Sequence, residues 1–125
     1  MTAKQILIIA TLFGALSIAL GAFAAHGLKK MVDVYHLDIF EKAVRYQFYH
    51  TFAIALCGLI LLNKSEMNLQ SAVWLFLGGI FFFSGSLYLM TFTQMKWLGA
   101  ITPIGGLCFI AGWLMMAWQF FKMEN

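Results

Sequence analysis

Residues 40–50 read FEKAVRYQFYH, and the side chains able to do chemistry crowd into the second half of that stretch. Arg45, Tyr46, Gln47, Tyr49 and His50 put a permanent cation, two phenols, an amide and an imidazole on less than two turns of helix. Such a set can hold an anionic headgroup, pass a proton, or hydrogen-bond across a helix bundle. His50 follows Arg45 by five residues, about 7 Å further along a helix axis. A metal centre does not fit the remaining ligands. His26 and His50 are the imidazoles that helices would bring to one place, while His36 falls in a surface segment. Cys57 and Cys108 have no CxxC partner. The two cysteines read as small apolar filler, no metal or cofactor is expected, and nothing points to nucleic acid.

The elements that must carry these residues follow from composition. Of 125 residues, 62% are hydrophobic and 10% charged, against about 25% charged in a soluble domain, and the mean hydropathy is +0.85. Too little charge remains to coat a globule in water. The charges also cluster, seven of the thirteen lying between Lys29 and Arg45. Charge-free stretches cover residues 5–28, 46–63, 67–95 and 97–121, each long enough for the roughly 17–25 residues of a spanning helix. The pattern predicts one all-α domain over 1–125, an integral membrane four-helix transmembrane bundle. Its helices run at about 6–26, 39–62, 70–94 and 98–121. Lys4, the apolar run and Ala22-Phe23-Ala24 imitate a cleavable signal. The run is longer than the ~7–15 residues of such a segment, so it is expected to stay as the first span.

Each helix carries its own signals. In the first, Ala10, Gly14, Ser17, Gly21 and Ala24 form one small-residue stripe, expected as a packing seam within the bundle or between subunits. Gly27 is expected as a left-handed residue closing that helix. Leu28, Met31, Tyr35 and Ile39 share a face among lysines, which predicts a short amphipathic segment on the membrane surface between helices 1 and 2. Asp38 followed by Glu41 reads as the cap of the second helix, with Glu41 and Arg45 as an i,i+4 pair. Thr102-Pro103 either kinks a fourth helix that begins near Trp97 or caps one that begins there, the cap being favoured.

Because helices alternate in direction, the first and third loops lie on one side of the bilayer. His26, Arg45, Tyr46, Gln47, Tyr49, His50, Tyr88, Thr91, Gln94 and Thr102 collect toward that side, with Ser84 near mid-span. Polar groups facing lipid are costly, so they should turn inward and pair. A cluster of His50, Tyr46, Tyr88, Ser84 and Thr102 is expected, either stapling the helices or lining a polar vestibule for a ligand. Lys29, Lys30, Lys42, Arg45 and Lys96 on this side outnumber Lys4, Lys64, Lys122 and the amino terminus on the other. The excess favours a cytoplasmic mouth with both termini outside.

Four segments in order, GAFAAHGLK (21–29), FEKAVRYQFYH (40–50), FFSGSLYL (82–89) and LGAITPIGG (98–106), resemble the domain-of-unknown-function 423 membrane proteins. These are bacterial inner (plasma) membrane proteins similar to eukaryotic transmembrane protein 256. The resemblance implies a four-helix integral membrane protein and brings no catalytic residues to carry over.

Three function classes remain to be weighed. A non-enzymatic membrane component would bind a lipid or small amphiphile at the mouth and join further copies of the chain or a larger membrane complex. A four-helix transporter or channel-like protein exporting cations needs a membrane-embedded carboxylate, and the charge-free stretches hold no Asp or Glu. A membrane enzyme acting on a lipid or thiol substrate needs an activated nucleophile or a placed acid–base pair, for which Arg45 and His50 alone are thin. The first class is the expected one, with membrane lipids as partners.

Overall fold

The computed structural model describes residues 1–123. Four rods long and apolar enough to cross a bilayer make up the molecule, Ala3–Lys30, Val34–Asn63, Gln70–Thr93 and Lys96–Phe121, and no strand occurs among the described residues. The first rod is helix α1 (Ala3–Ala25) plus a 3-10 turn at Leu28–Lys30. Thr2 and Gln5 form a reciprocal capping box at its start, each side chain accepting from the other's backbone N–H.

Helix α2 (Val34–Asn63) begins earlier than the sequence predicts. The cap is Asp33, not Asp38: its carboxylate accepts the His36 backbone N–H at 2.8 Å and the His36 ring Nδ1–H at 2.7 Å. With that cap in place, residues expected in the surface segment become the first turns of α2, and the segment shrinks to the Leu28–Lys30 turn. At thirty residues α2 is about 45 Å long, so its first turns stand outside a hydrocarbon layer about 30 Å thick. Gly27 is not left-handed, with φ at −71°. A Cβ there would lie 3.1 Å from the Phe23 ring, so close contact rather than backbone freedom is what sets this position.

The third rod is α3 (Gln70–Gly79), a π-helical turn (Ile80–Ser84) and α4 (Gly85–Thr93). It ends at Gln94, the one non-glycine residue with positive φ among those described, at 57°. A 3-10 turn at Lys96–Ala100 leads into α5 (Thr102–Phe121), with Pro103 in its first turn. The break at Thr102 is therefore real, but Thr102 is not the cap. Ile101 holds that position without a side-chain bond, and the Thr102 hydroxyl is engaged elsewhere.

Packing makes two hairpins. Helix α1 lies along α2, α3 lies along α5, and α2 joins the halves through α4 and the π-turn. Phe76, Ile54, Val73 and Cys57 are fully buried in the main core. Leu12, Phe52, Phe81, Leu107 and Leu114 point outward, as a lipid-facing surface requires. The α3–α5 seam depends on missing side chains. A Cβ on Gly105 would fall 2.3 Å from the Phe83 backbone nitrogen, and one on Gly79 2.3 Å from the Phe109 ring.

Candidate functional site

The inner face of α2 carries Ala43, Gln47, His50, Ile54 and Cys57, all buried, while Glu41, Arg45, Tyr49 and Phe52 lie on exposed faces. One helical period thus divides the polar residues into an inward and an outward set. The inward set does not form the single cluster expected; it resolves into separate staples.

The first staple crosses three helices. Tyr88 on α4 donates its hydroxyl to Gln47 Oε1 at 2.7 Å, Gln47 Nε2 donates to Ser17 Oγ at 2.9 Å, and Ser17 donates to the Phe13 carbonyl at 2.8 Å. Ser17, placed by sequence in a packing stripe, is also a hydrogen-bonding residue. The second staple is Ser84, whose hydroxyl donates to the Ala43 carbonyl at 2.7 Å from the π-turn. In the third, Ser86 and Thr102 share a bond of 2.6 Å between α4 and α5.

His50 stands apart from Tyr88, Ser84 and Thr102. Its Nδ1–H donates to the Tyr46 carbonyl at 2.7 Å and its Nε2 accepts the Trp113 indole N–H at 3.2 Å. One donor and one acceptor define a neutral imidazole. The ring lies flat on Phe109, centroids 3.4 Å apart and planes 5° from parallel. Tyr46 is held by its own ring, stacked on Phe83 at 4.6 Å. The buried side-chain polar atoms among the described residues all have partners, so the interior polar groups are used up by one another.

The outward residues behave differently. His26 sits exposed at the C-terminal cap of α1, and Tyr49 is exposed with its ring edge-on to Tyr46. Glu41 and Arg45 are exposed and form no ion pair among the described residues, where Lys42 approaches Asp38 at 4.0 Å and His36 hydrogen-bonds Asp33. The expected Glu41–Arg45 pair is therefore absent. Both line a groove of about 490 Å³ between α1 and α2 with Ser17, Ile18, Gly21 and Val44, and Phe48 completes its inner end. The small stripe opens this groove. Gly21 faces Val44 and Gly14 faces Thr51, each with room for a Cβ at 3.6 and 3.7 Å. A metal-binding group of three or more His, Cys, Asp or Glu is absent among the described residues.

Sequence reasoning missed Ser86, Thr51, Phe109 and Trp113. Thr51 and Thr91 bond carbonyls one turn back, at Gln47 and Leu87, an arrangement any Thr in a lipid-embedded helix favours. Trp113 stands at mid-span on α5, and only the fold brings it to His50.

Fold and site define a multi-pass, four-helix integral membrane protein whose interior polar groups tie helices together. Residues 20–106 match the family described as protein of unknown function (DUF423), and the chain belongs to that family. It is similar to UPF0382 membrane proteins of Staphylococcus aureus, 44% identical over 98% of this chain and 99% of the relative, and of Staphylococcus haemolyticus, 45% identical over 95% and 97%. A third, of Staphylococcus saprophyticus, is 42% identical over 96% and 99%. No solved structure matches.

Proposed function

We propose that the protein is a non-enzymatic membrane component that binds a membrane lipid in the α1–α2 groove. The observation that carries this reading is the make-up of that groove: charged side chains of Glu41 and Arg45 at its outer end, with Val44 between them, and an apolar wall of Ile18 and Phe48 further in. An amphiphile needs those two environments in that order. The interior polar residues support the same reading, because Gln47, His50, Ser84, Tyr88 and Thr102 are committed to structural bonds and leave no free acid–base pair in the spans. Of the residues expected at a polar mouth, Arg45 is the one this proposal keeps as a ligand contact. The protein sits in the bacterial inner membrane with the groove's charged end at the cytoplasmic face and both termini outside, in keeping with the lysine and arginine excess around Lys29–Arg45 and Lys96.

Native mass spectrometry of the detergent-solubilised protein tests the reading. Wild type should leave the detergent carrying bound lipid. Gly21→Leu fills the groove without a backbone clash and should remain folded but lose that lipid. Equal lipid on both, or none on wild type, would count against the groove.

A further inference from the structure

Resting on the lipid-binding reading, we infer that the α1–α2 groove selects a lipid whose headgroup joins a phosphate to a primary ammonium, Arg45 holding the phosphate and Glu41 the ammonium. Three observations carry it. First, the groove holds one charge of each sign, and neither is neutralised by the other or by a third described residue. Lys42, the nearest further cation in sequence, points to Asp38 at 4.0 Å and does not line the groove. An acidic lipid would meet repulsion at Glu41, whereas a headgroup carrying both signs satisfies both walls.

Second, the order of the charges matches the order of charges in such a lipid. Arg45 lies one turn after Glu41, about 6 Å further toward the hydrocarbon. In a phosphate–ammonium lipid the phosphate is attached to the glycerol and lies inward, and the ammonium extends outward. An ethyl bridge between them spans a distance of the same order. Third, beyond Arg45 the groove continues along Ile18, which is exposed, and Phe48, which is half-buried, so an acyl chain can lie against both. The guanidinium offers a fork of donors matched to phosphate oxygens. The Glu41 carboxylate accepts N–H bonds that a primary ammonium makes and a trimethylated one cannot.

The test is lipid exchange followed by native mass spectrometry on the full chain, using phosphatidylethanolamine, phosphatidylcholine and phosphatidylglycerol at equal concentration. Wild type should retain the ethanolamine lipid about five- to tenfold over each of the others, the discrimination expected of one charge-assisted bond. Glu41→Gln should bring the three lipids to within about twofold of one another, and Arg45→Gln should lower retention of all three. Both positions are exposed, so melting temperatures near wild type are expected and serve as the folding control. If wild type retains lipid and Glu41→Gln leaves the preference unchanged, the headgroup assignment is overturned while lipid binding stands. If wild type retains no lipid, the lipid-binding reading falls first. Displacement of the lipid by soluble phosphoethanolamine at the same concentration would overturn the placement of a chain in the groove.

Discussion

The Tyr88 hydroxyl and the Gln47 amide oxygen, 2.7 Å apart, join the two halves of the bundle. The other end of the same amide holds Ser17 on α1 at 2.9 Å, so one side chain of α2 anchors both neighbours. Interhelical hydrogen bonds in membranes average about 0.6 kcal/mol and reach about 1.7. Tyr88→Phe removes one donor and should cost about that average. Gln47→Leu leaves both the Tyr88 hydroxyl and the Ser17 hydroxyl short of a partner and should cost about 1–3 kcal/mol. Thermal unfolding in detergent should rank wild type above Tyr88→Phe and Tyr88→Phe above Gln47→Leu; the reverse order would show that the amide is not the hub.

Glycines on the two seams should respond in opposite ways. At Gly105 an added Cβ meets the Phe83 backbone nitrogen at 2.3 Å, and backbone cannot swing aside. Gly105→Ala should sharply lower the yield of folded protein. At Gly14 the nearest atom is a Thr51 methyl at 3.7 Å, so Gly14→Ala should be neutral or gain up to about 1 kcal/mol from helix propensity. Size-exclusion profiles and melting temperatures of the two variants decide it.

His50 is placed to be needed for shape and bonding together. His50→Leu removes the acceptor for the Trp113 indole N–H and the flat contact with Phe109, a loss of about 1–3 kcal/mol where the stranded group faces lipid. His50→Gln keeps an acceptor and should lie between Leu and wild type. Identical melting temperatures for all three would show that neither contact bears on stability.

The start of α2 should be sensitive to acid. The His36 backbone N–H, followed by the His36 ring, holds the Asp33 carboxyl below its usual value of 3.8. A depressed folded-state pKa means the cap stabilises fully above that usual value and is lost as pH falls through the lower, folded one. Amide-exchange protection at His36 and Leu37, corrected for the intrinsic pH dependence, should therefore decline only below about pH 4. Asp33→Ala should show reduced protection above about pH 4 and no such decline.

The spans were legible because charge is absent from them, a signal that survives any detail of packing. Cap positions were harder to read. Asp33 and Asp38 both precede helix-forming residues, and the choice fell to Asp33 because His36 supplies two donors to one carboxylate. The polar residues were legible as a set but not as pairs. Gln47 meets Tyr88 across forty-one positions and His50 meets Trp113 across sixty-three, and no periodicity within one helix encodes which helix lies opposite. The stripe on α1 was visible as spacing. The tighter seam of Gly79 and Gly105 was not, because its glycines are tight only against Phe109 and Phe83 on the facing helix.

The most direct measurement is an experimental density map of the protein in a lipid nanodisc. The groove between α1 and α2 should hold one elongated density, its headgroup between Glu41 and Arg45 and its tail running inward along Ile18 and Phe48. An empty groove, or one filled by a helix from a second copy of the chain, would contradict lipid binding there.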